Sequence, residues 1–439
     1  MQILRIGSFA AILLASSIEA SLDIVSGATW TAAGTDQHIQ AHGAGIIEVD
    51  GTYYLIGENK LDGTYFQSVN CYSSKDLIEW EFVNELLSVQ ESGDLGPQRI
   101  VERPKVIYND DTEQYVMWMH IDSSDYGDAK AGVATGSSVC GDYTYINSTR
   151  PLGYVSRDLG LFKDTDGTAY LLTEDRDNGL RIDLLSADYL TVESPVHLFE
   201  TYESPAIYKS GDTYFMFGSQ LTGWDANDNR YTTATNLSGP WSEWTNFAPE
   251  GSKTFTSQST YILEKDGVVI YMGDRWVPGN LASSTYVWLP LTISGTKATL
   301  NDASAWKFTD GSWETAEPVT TLPAVSDDTT LGGSARTVTD ERVGYLGGPD
   351  NGTLTFSSVS ASGSGKHTVQ ITYRNGDGSQ RYCAVVVNDK SYKVAFSSTG
   401  TSVGTSIVHA EFADGDENEI RFEGLDGKYC PDIQELVIS

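Results

Sequence analysis

The stretch AHGAGIIEVDGTYYLIGE, residues 41–58, decides the fold. A polar residue leads into a short apolar strand, an Asp-Gly turn reverses the chain, and a second strand rich in Tyr follows. The pattern returns as ERPKVIYNDDTEQYVMWMH from Glu102 and RDLGLFKDTDGTAYLLTED from Arg157. It returns again as ESPAIYKSGDTYFMFGSQ from Glu203 and QSTYILEKDGVVIYMGDRW from Gln258. The starts fall roughly 45 to 60 residues apart, the size of a four-stranded propeller blade. Outer strands close successive units near residues 74–80, 140–143 and 237–241. Five units predict an all-β protein that opens with a five-bladed β-propeller; a β-sandwich with long insertions would have no reason to repeat at this period.

The register of the repeat points to a site. His42, Glu102, Glu203 and Gln258 each stand four residues before the paired apolar residues of their strand. Asp158 stands three before Leu161 and Phe162, one residue out of step. Innermost strands of a propeller begin at the same end of a central channel, so residues at matching places converge on its axis. Charge is costly to bury unless it is matched, and a ring of carboxylates around an axis therefore suggests function rather than folding.

Outward from the repeat, the first twenty residues read as a signal peptide, with Arg5, an apolar run from Ile6 to Ala15 and a small-residue cleavage site ending at Ala20. Sequons at Asn147, Asn236 and Asn351 and an even count of four cysteines suit a secreted protein. Cys71 with Cys140 and Cys383 with Cys430 is the simplest of three connectivities, because each pair closes a loop inside one domain. A formal charge of −32 argues against nucleic acid and anionic membranes. Neutral glycans fit better, because Tyr and Trp faces stack on the apolar faces of sugar rings. The repeat fades after about Lys307, and residues 313–330 read as a domain entry. Alternation at Val369, Ile371 and Tyr373, at Val408, Ala410 and Phe412, and at Ile420 and Phe422 then predicts a jelly-roll-like antiparallel β-sandwich. The expected division is 1–20 signal peptide, 21–315 propeller and 316–439 sandwich, in a monomer.

Glycoside hydrolysis needs a protonated carboxyl to donate to the leaving oxygen. Glu203 suits it, because Pro205 fixes the entry of its strand and Asp158 on the neighbouring blade would raise its pKa. Glu102 is either a base or an acceptor for sugar hydroxyls. Glu58, Tyr126, Thr222 and Trp224, on loops leaving the second strands, are candidates to line the site. His42 is structural or a hydroxyl ligand, since no second His or Cys stands at metal spacing. No phosphate loop, dinucleotide fingerprint or nucleophile elbow occurs.

At these residues the chain resembles glycoside hydrolase family 43, in its exo-β-1,3-galactanase branch (subfamily 24). The similar stretches are residues 40–45, 101–105, 122–127, 156–158, 203–205, 222–224 and 273–276. The resemblance implies an inverting enzyme that releases galactose from β-1,3-galactan backbones of arabinogalactan, with Glu203 as acid and Asp158 as its pKa modulator. It implies no required cofactor. Much of that family carries a base Asp on the first inner strand, where this chain has Gln-Ala-His-Gly. The galactanase branch shares the absence, and there Gln258 would serve as base in an imidic acid form and Glu102 as a substrate contact. The C-terminal unit resembles carbohydrate-binding module family 35, which implies galactose contacts at Tyr345, Arg381, Tyr429 and Asp432. Calcium in that family depends on acidic residues. Residues 324–327, Ala-Val-Ser-Asp, and Gln434 leave that pattern incomplete here. A β-xylosidase or α-L-arabinofuranosidase on the same fold, or a non-catalytic galactan-binding lectin, are the alternative functions.

Overall fold

The computed structural model describes residues 22–439, so the expected signal peptide at residues 1–20 lies outside the described residues. The chain is all-β, and its first part has the propeller-type arrangement. Five antiparallel sheets of four strands follow one another, each built in chain order from its first strand outward. The first strands are His42–Val49, Ile100–Asn109, Leu159–Lys163, Glu203–Ser210 and Gln258–Lys265. Each lies beside the first strand of the next sheet, and that of the fifth lies beside that of the first.

The inner strands of these sheets are covered on both faces, which is why they read as continuous apolar runs rather than as alternation, while the outermost strands are largely exposed. In the third sheet Leu171 packs with Val116 and Trp118 of the second. Its neighbour Leu172 faces the other way, onto Ile207 and Met216 of the fourth. Period-two geometry thus sends successive residues of one strand into two different cores.

A bulge repeated at the head of the first strands aims the leading polar residues. In the first, second and fourth sheets, two residues oppose one between His42 and Gly45, Glu102 and Lys105, and Glu203 and Ala206. The fifth sheet carries the same irregularity between Ser259 and Tyr261. The extra residue bends the strand and re-aims its neighbour, and it sits in left-handed backbone at Gly43, Arg103 and Ser204 (φ 54°, 51° and 57°). The third sheet pairs Leu159 to Lys163 without a break. Asp158 therefore stands one residue nearer its apolar pair because its strand has no bulge.

The C-terminal part is β-rich, with one sheet of six strands and one of five around a single core. Val369, Ile371, Tyr373, Val408, Ala410, Phe412, Ile420 and Phe422 are all in that core. Disulfides join Cys71 to Cys140, linking the first and second sheets, and Cys383 to Cys430. The N-terminal segment ties the two parts together: the Thr29 N–H donates to the Thr405 carbonyl at 2.8 Å. Lys366 also pairs with Glu79 at 2.7 Å. No helix among the described residues is long and apolar enough to cross a membrane.

Candidate active site

The strand heads open into a cavity of about 360 Å³ whose wall includes residues from all five sheets: Glu58, Glu102, Asp158, Glu174, Glu203 and Gln258 among them. Strand pairing explains the layout. Each leading residue has a partner at the end of its second strand: Glu58 opposite His42, His120 opposite Glu102, Ser219 opposite Glu203 and Asp274 opposite Gln258. Glu174 takes that place beside Asp158, donating its N–H to the Asp158 carbonyl at 2.9 Å. The site is thus two rings, and the leading residues are only the first.

Glu203 is 4 % exposed. Burial, together with the charges of Asp158 and Glu174, pushes its carboxyl up to about 9, so it holds a proton at neutral pH. Oxygens of Asp158, Glu174 and Glu203 lie within 4.8 Å of one another. Asp158 accepts from Arg103 Nε at 2.8 Å and from the Ser204 hydroxyl at 2.7 Å. Half-exposed Arg176 reaches Glu174 at 2.6 Å and Glu203 at 3.3 Å.

The opposite wall carries an ionised carboxylate, Glu102, next to Glu58, whose carboxyl is pushed up to about 7 by burial. Burial alone would raise Glu102, but Lys60, His120 and the Tyr126 hydroxyl hold it down to about 2. Lys60 Nζ lies 2.6 Å from Glu58 and 3.3 Å from Glu102, and Tyr126 donates to Glu102 at 3.0 Å. Trp224 and Trp276, 4.9 Å apart and near perpendicular, form an aromatic wall. Gln258 sits between the walls, its Nε2 donating to Glu203 Oε1 at 2.9 Å.

Thr222 is the one cavity candidate turned elsewhere. It is exposed, its hydroxyl donates to the Asp225 carbonyl, and it accepts from Asn227 at 2.8 Å, so it shapes the loop that presents Trp224. His42 pairs with Asp274 at 3.0 Å and stacks on Tyr286, with centroids 4.9 Å apart. Reading the leading residues alone misses Arg103, Lys60, His120, Glu174 and Trp276. The signal for His120 and Glu174 was present: both stand within two residues of the end of the second strand of their repeat.

In the C-terminal part, Tyr345, Arg381, Tyr429 and Asp432 line one hollow of about 420 Å³. The two tyrosines, 43 % and 39 % exposed, meet edge to face with centroids 6.2 Å apart. Arg381 is fixed from below by the Cys430 carbonyl at 2.9 Å and by Asp377 at 2.8 Å. Two trios of side chains among the described residues could hold a cation, Glu102 with His120 and Asp158, and Asp158 with Glu174 and Glu203; both lie in the propeller cavity.

A buried carboxyl that favours its proton, facing an ionised one across an aromatic-walled cavity, defines a glycoside hydrolase on a propeller-type fold. The family model for glycosyl hydrolases family 43 matches residues 40–269, and the chain belongs to that family. A second model, described as the alpha-galactosidase CBM13 domain, matches residues 353–437; it too is a carbohydrate-binding module, under another family number than the family-35 resemblance. Among curated proteins none matches the chain. Among solved structures, an exo-β-1,3-galactanase from Phanerochaete chrysosporium with β-1,3-galactotriose is 37 % identical, with a TM-score of 0.68 over 95 % of this chain and 100 % of its own. An exo-β-1,3-galactanase from Clostridium thermocellum is 27 % identical, with a TM-score of 0.64 over 95 % and 100 % of the two chains.

Proposed function

We propose that this protein is an inverting exo-β-1,3-galactanase, a five-bladed propeller (residues 21–315) carrying a β-sandwich galactan-binding module (residues 316–439). The observation that carries the proposal is the buried Glu203 carboxyl set with its oxygens within 4.8 Å of those of Asp158 and Glu174, which favours its protonated form. Likeness to galactanases along nearly the whole chain supplies the substrate class.

Glu203 gives its proton to the glycosidic oxygen as the C1–O bond breaks. Water attacks C1 from the opposite face and gives its proton to the ionised Glu102 carboxylate, leaving galactose of inverted configuration. Asp158 keeps Glu203 protonated, and Gln258 completes the catalytic set through its contact with the acid. Glu58, Glu102 and Tyr126 offer polar atoms to the sugar hydroxyls, and Trp224 offers a stacking face. Thr222 acts on the substrate through the Trp224 loop. Tyr345, Arg381, Tyr429 and Asp432 bind galactose units of the polymer away from the reaction.

The leader-like residues 1–20 and the two disulfides support secretion. Asn147, Asn236 and Asn351 are all exposed and so open to glycosylation. A substrate panel tests the function: galactose should be released from β-1,3-galactan and no sugar from xylan or arabinan. Release from xylan or arabinan instead would favour the pentosidase reading, and hydrolysis of nothing would favour a lectin.

A further inference from the structure

Arg103 is 4 % exposed and sits at the bulge of the second sheet, beside the residue that the repeat brings to the cavity. Its guanidinium reaches across the axis. Nε meets Asp158 at 2.8 Å, one terminal nitrogen donates to Gln258 Oε1 at 2.6 Å, and the other donates to the Ser259 carbonyl at 3.1 Å. Trp276 Nε1 donates to the same Gln258 oxygen at 2.9 Å. The amide nitrogen of Gln258 therefore faces Glu203 Oε1 at 2.9 Å and the Ser219 hydroxyl at 3.1 Å.

The two ends of an amide are not interchangeable. Turned around, the Gln258 NH₂ would meet a guanidinium and an indole N–H, donor against donor, and its oxygen would meet the Glu203 carboxyl oxygen. We infer that Arg103 is a positioning residue of the catalytic centre, which holds the Gln258 amide the way round that makes Gln258 a hydrogen-bond donor to Glu203. The inference rests on the reading of Glu203 as the acid.

The consequence concerns Gln258. Both its amide hydrogens are committed, and its nitrogen lone pair is delocalised into the carbonyl. An imidic acid form would carry an O–H where Arg103 and Trp276 both point donors, with no acceptor to receive it. Held this way, Gln258 works through the acid rather than as a base for water. With Oε1 of Glu203 engaged by the amide, Oε2 carries the proton that goes to the leaving oxygen. Half-exposed Arg176 lies 3.3 Å from Oε2 at the mouth of the cavity.

The test uses the full-length protein and the pH dependence of kcat on a β-1,3-galactan oligosaccharide, for Q258E, Q258M and R103K. Loss of the amide donor favours protonated Glu203, so the basic limb should move to higher pH in all three. Misplacement of the acid should lower kcat about 10²-fold. A Q258E enzyme as active as the unmodified protein would overturn the inference, because a carboxylate is a better base than an amide and a poorer partner for Glu203. A shift confined to the acidic limb would also overturn it. Should Q258E not fold, Q258M removes the donor without adding charge, and full activity in Q258M would be equally fatal. E203Q separates the two readings: if E203Q keeps its turnover the acid assignment fails, whereas an inactive E203Q beside a fully active Q258E defeats only the inference about Arg103 and Gln258.

Discussion

Replacing Asp158 by Asn removes one negative charge from beside the acid while leaving the side chain's shape. Oxygens of Asp158 and Glu203 lie within 4.8 Å of each other. At an effective dielectric of about 20, one unit charge at that distance opposes ionisation of the other by about 3.5 kcal/mol, or about 2.5 pKa units. Water at the cavity mouth screens part of this, which leaves an expected fall of about 1 to 2 units in the Glu203 pKa. The acid works protonated, so activity is lost as pH rises through its pKa, and a lowered pKa brings that loss to lower pH. The assay is kcat/KM against pH on β-1,3-galactotriose, for D158N and the unmodified enzyme. D158N should recover much of its activity at acid pH and lose it earlier on the basic side. A basic limb that stays where it was, with turnover reduced equally at every pH, would refute the claim that Asp158 tunes Glu203.

Glu203→Gln should lower turnover by about 10² to 10⁴-fold, the usual contribution of a general acid, while galactotriose binding measured by calorimetry survives. Lys60→Met strands Glu58 and Glu102 without their shared cation, and breaking such a buried pair should cost about 3–5 kcal/mol in denaturant unfolding. Glu102 is depressed to about 2 in the folded protein, so the stability it contributes is present above its ordinary pKa and is lost as pH falls from there through about 2; in K60M that acid loss should be smaller and should finish at higher pH. The double variant Y345A/Y429A should release the protein from polymeric galactan in a pull-down and leave galactotriose hydrolysis unchanged. A fall in galactotriose turnover would place those rings in the reaction.

The sequence disclosed the five hairpins because turn residues punctuate them at a steady interval, and it disclosed the leading polar residues because they share a register. It also held a puzzle, the misplaced Asp158, which only strand pairing resolves: four strands carry an extra residue at their head and one does not. Of the second ring only Glu58 was read; His120, Glu174, Ser219 and Asp274 were harder to see, because they lie at or near strand ends where polar residues are ordinary. Arg103 was hidden for another reason. A bulge turns it through the wall beside Glu102, and alternation along a regular strand would send neighbours to opposite faces. Thr222 read as a contact because it borders Trp224, yet its hydroxyl is satisfied within its own loop. In the C-terminal part alternation sufficed for the core, while the clustering of Tyr345, Arg381, Tyr429 and Asp432 came from resemblance and not from pattern.

The claim on which the rest depends is that Glu203 protonates a β-1,3-galactosidic bond while water enters from the other side. Proton NMR of the first products formed from β-1,3-galactotriose reports this directly. The account predicts α-galactose and the β-1,3-linked disaccharide ahead of mutarotation. Initial appearance of β-galactose, or no cleavage at all, would contradict it.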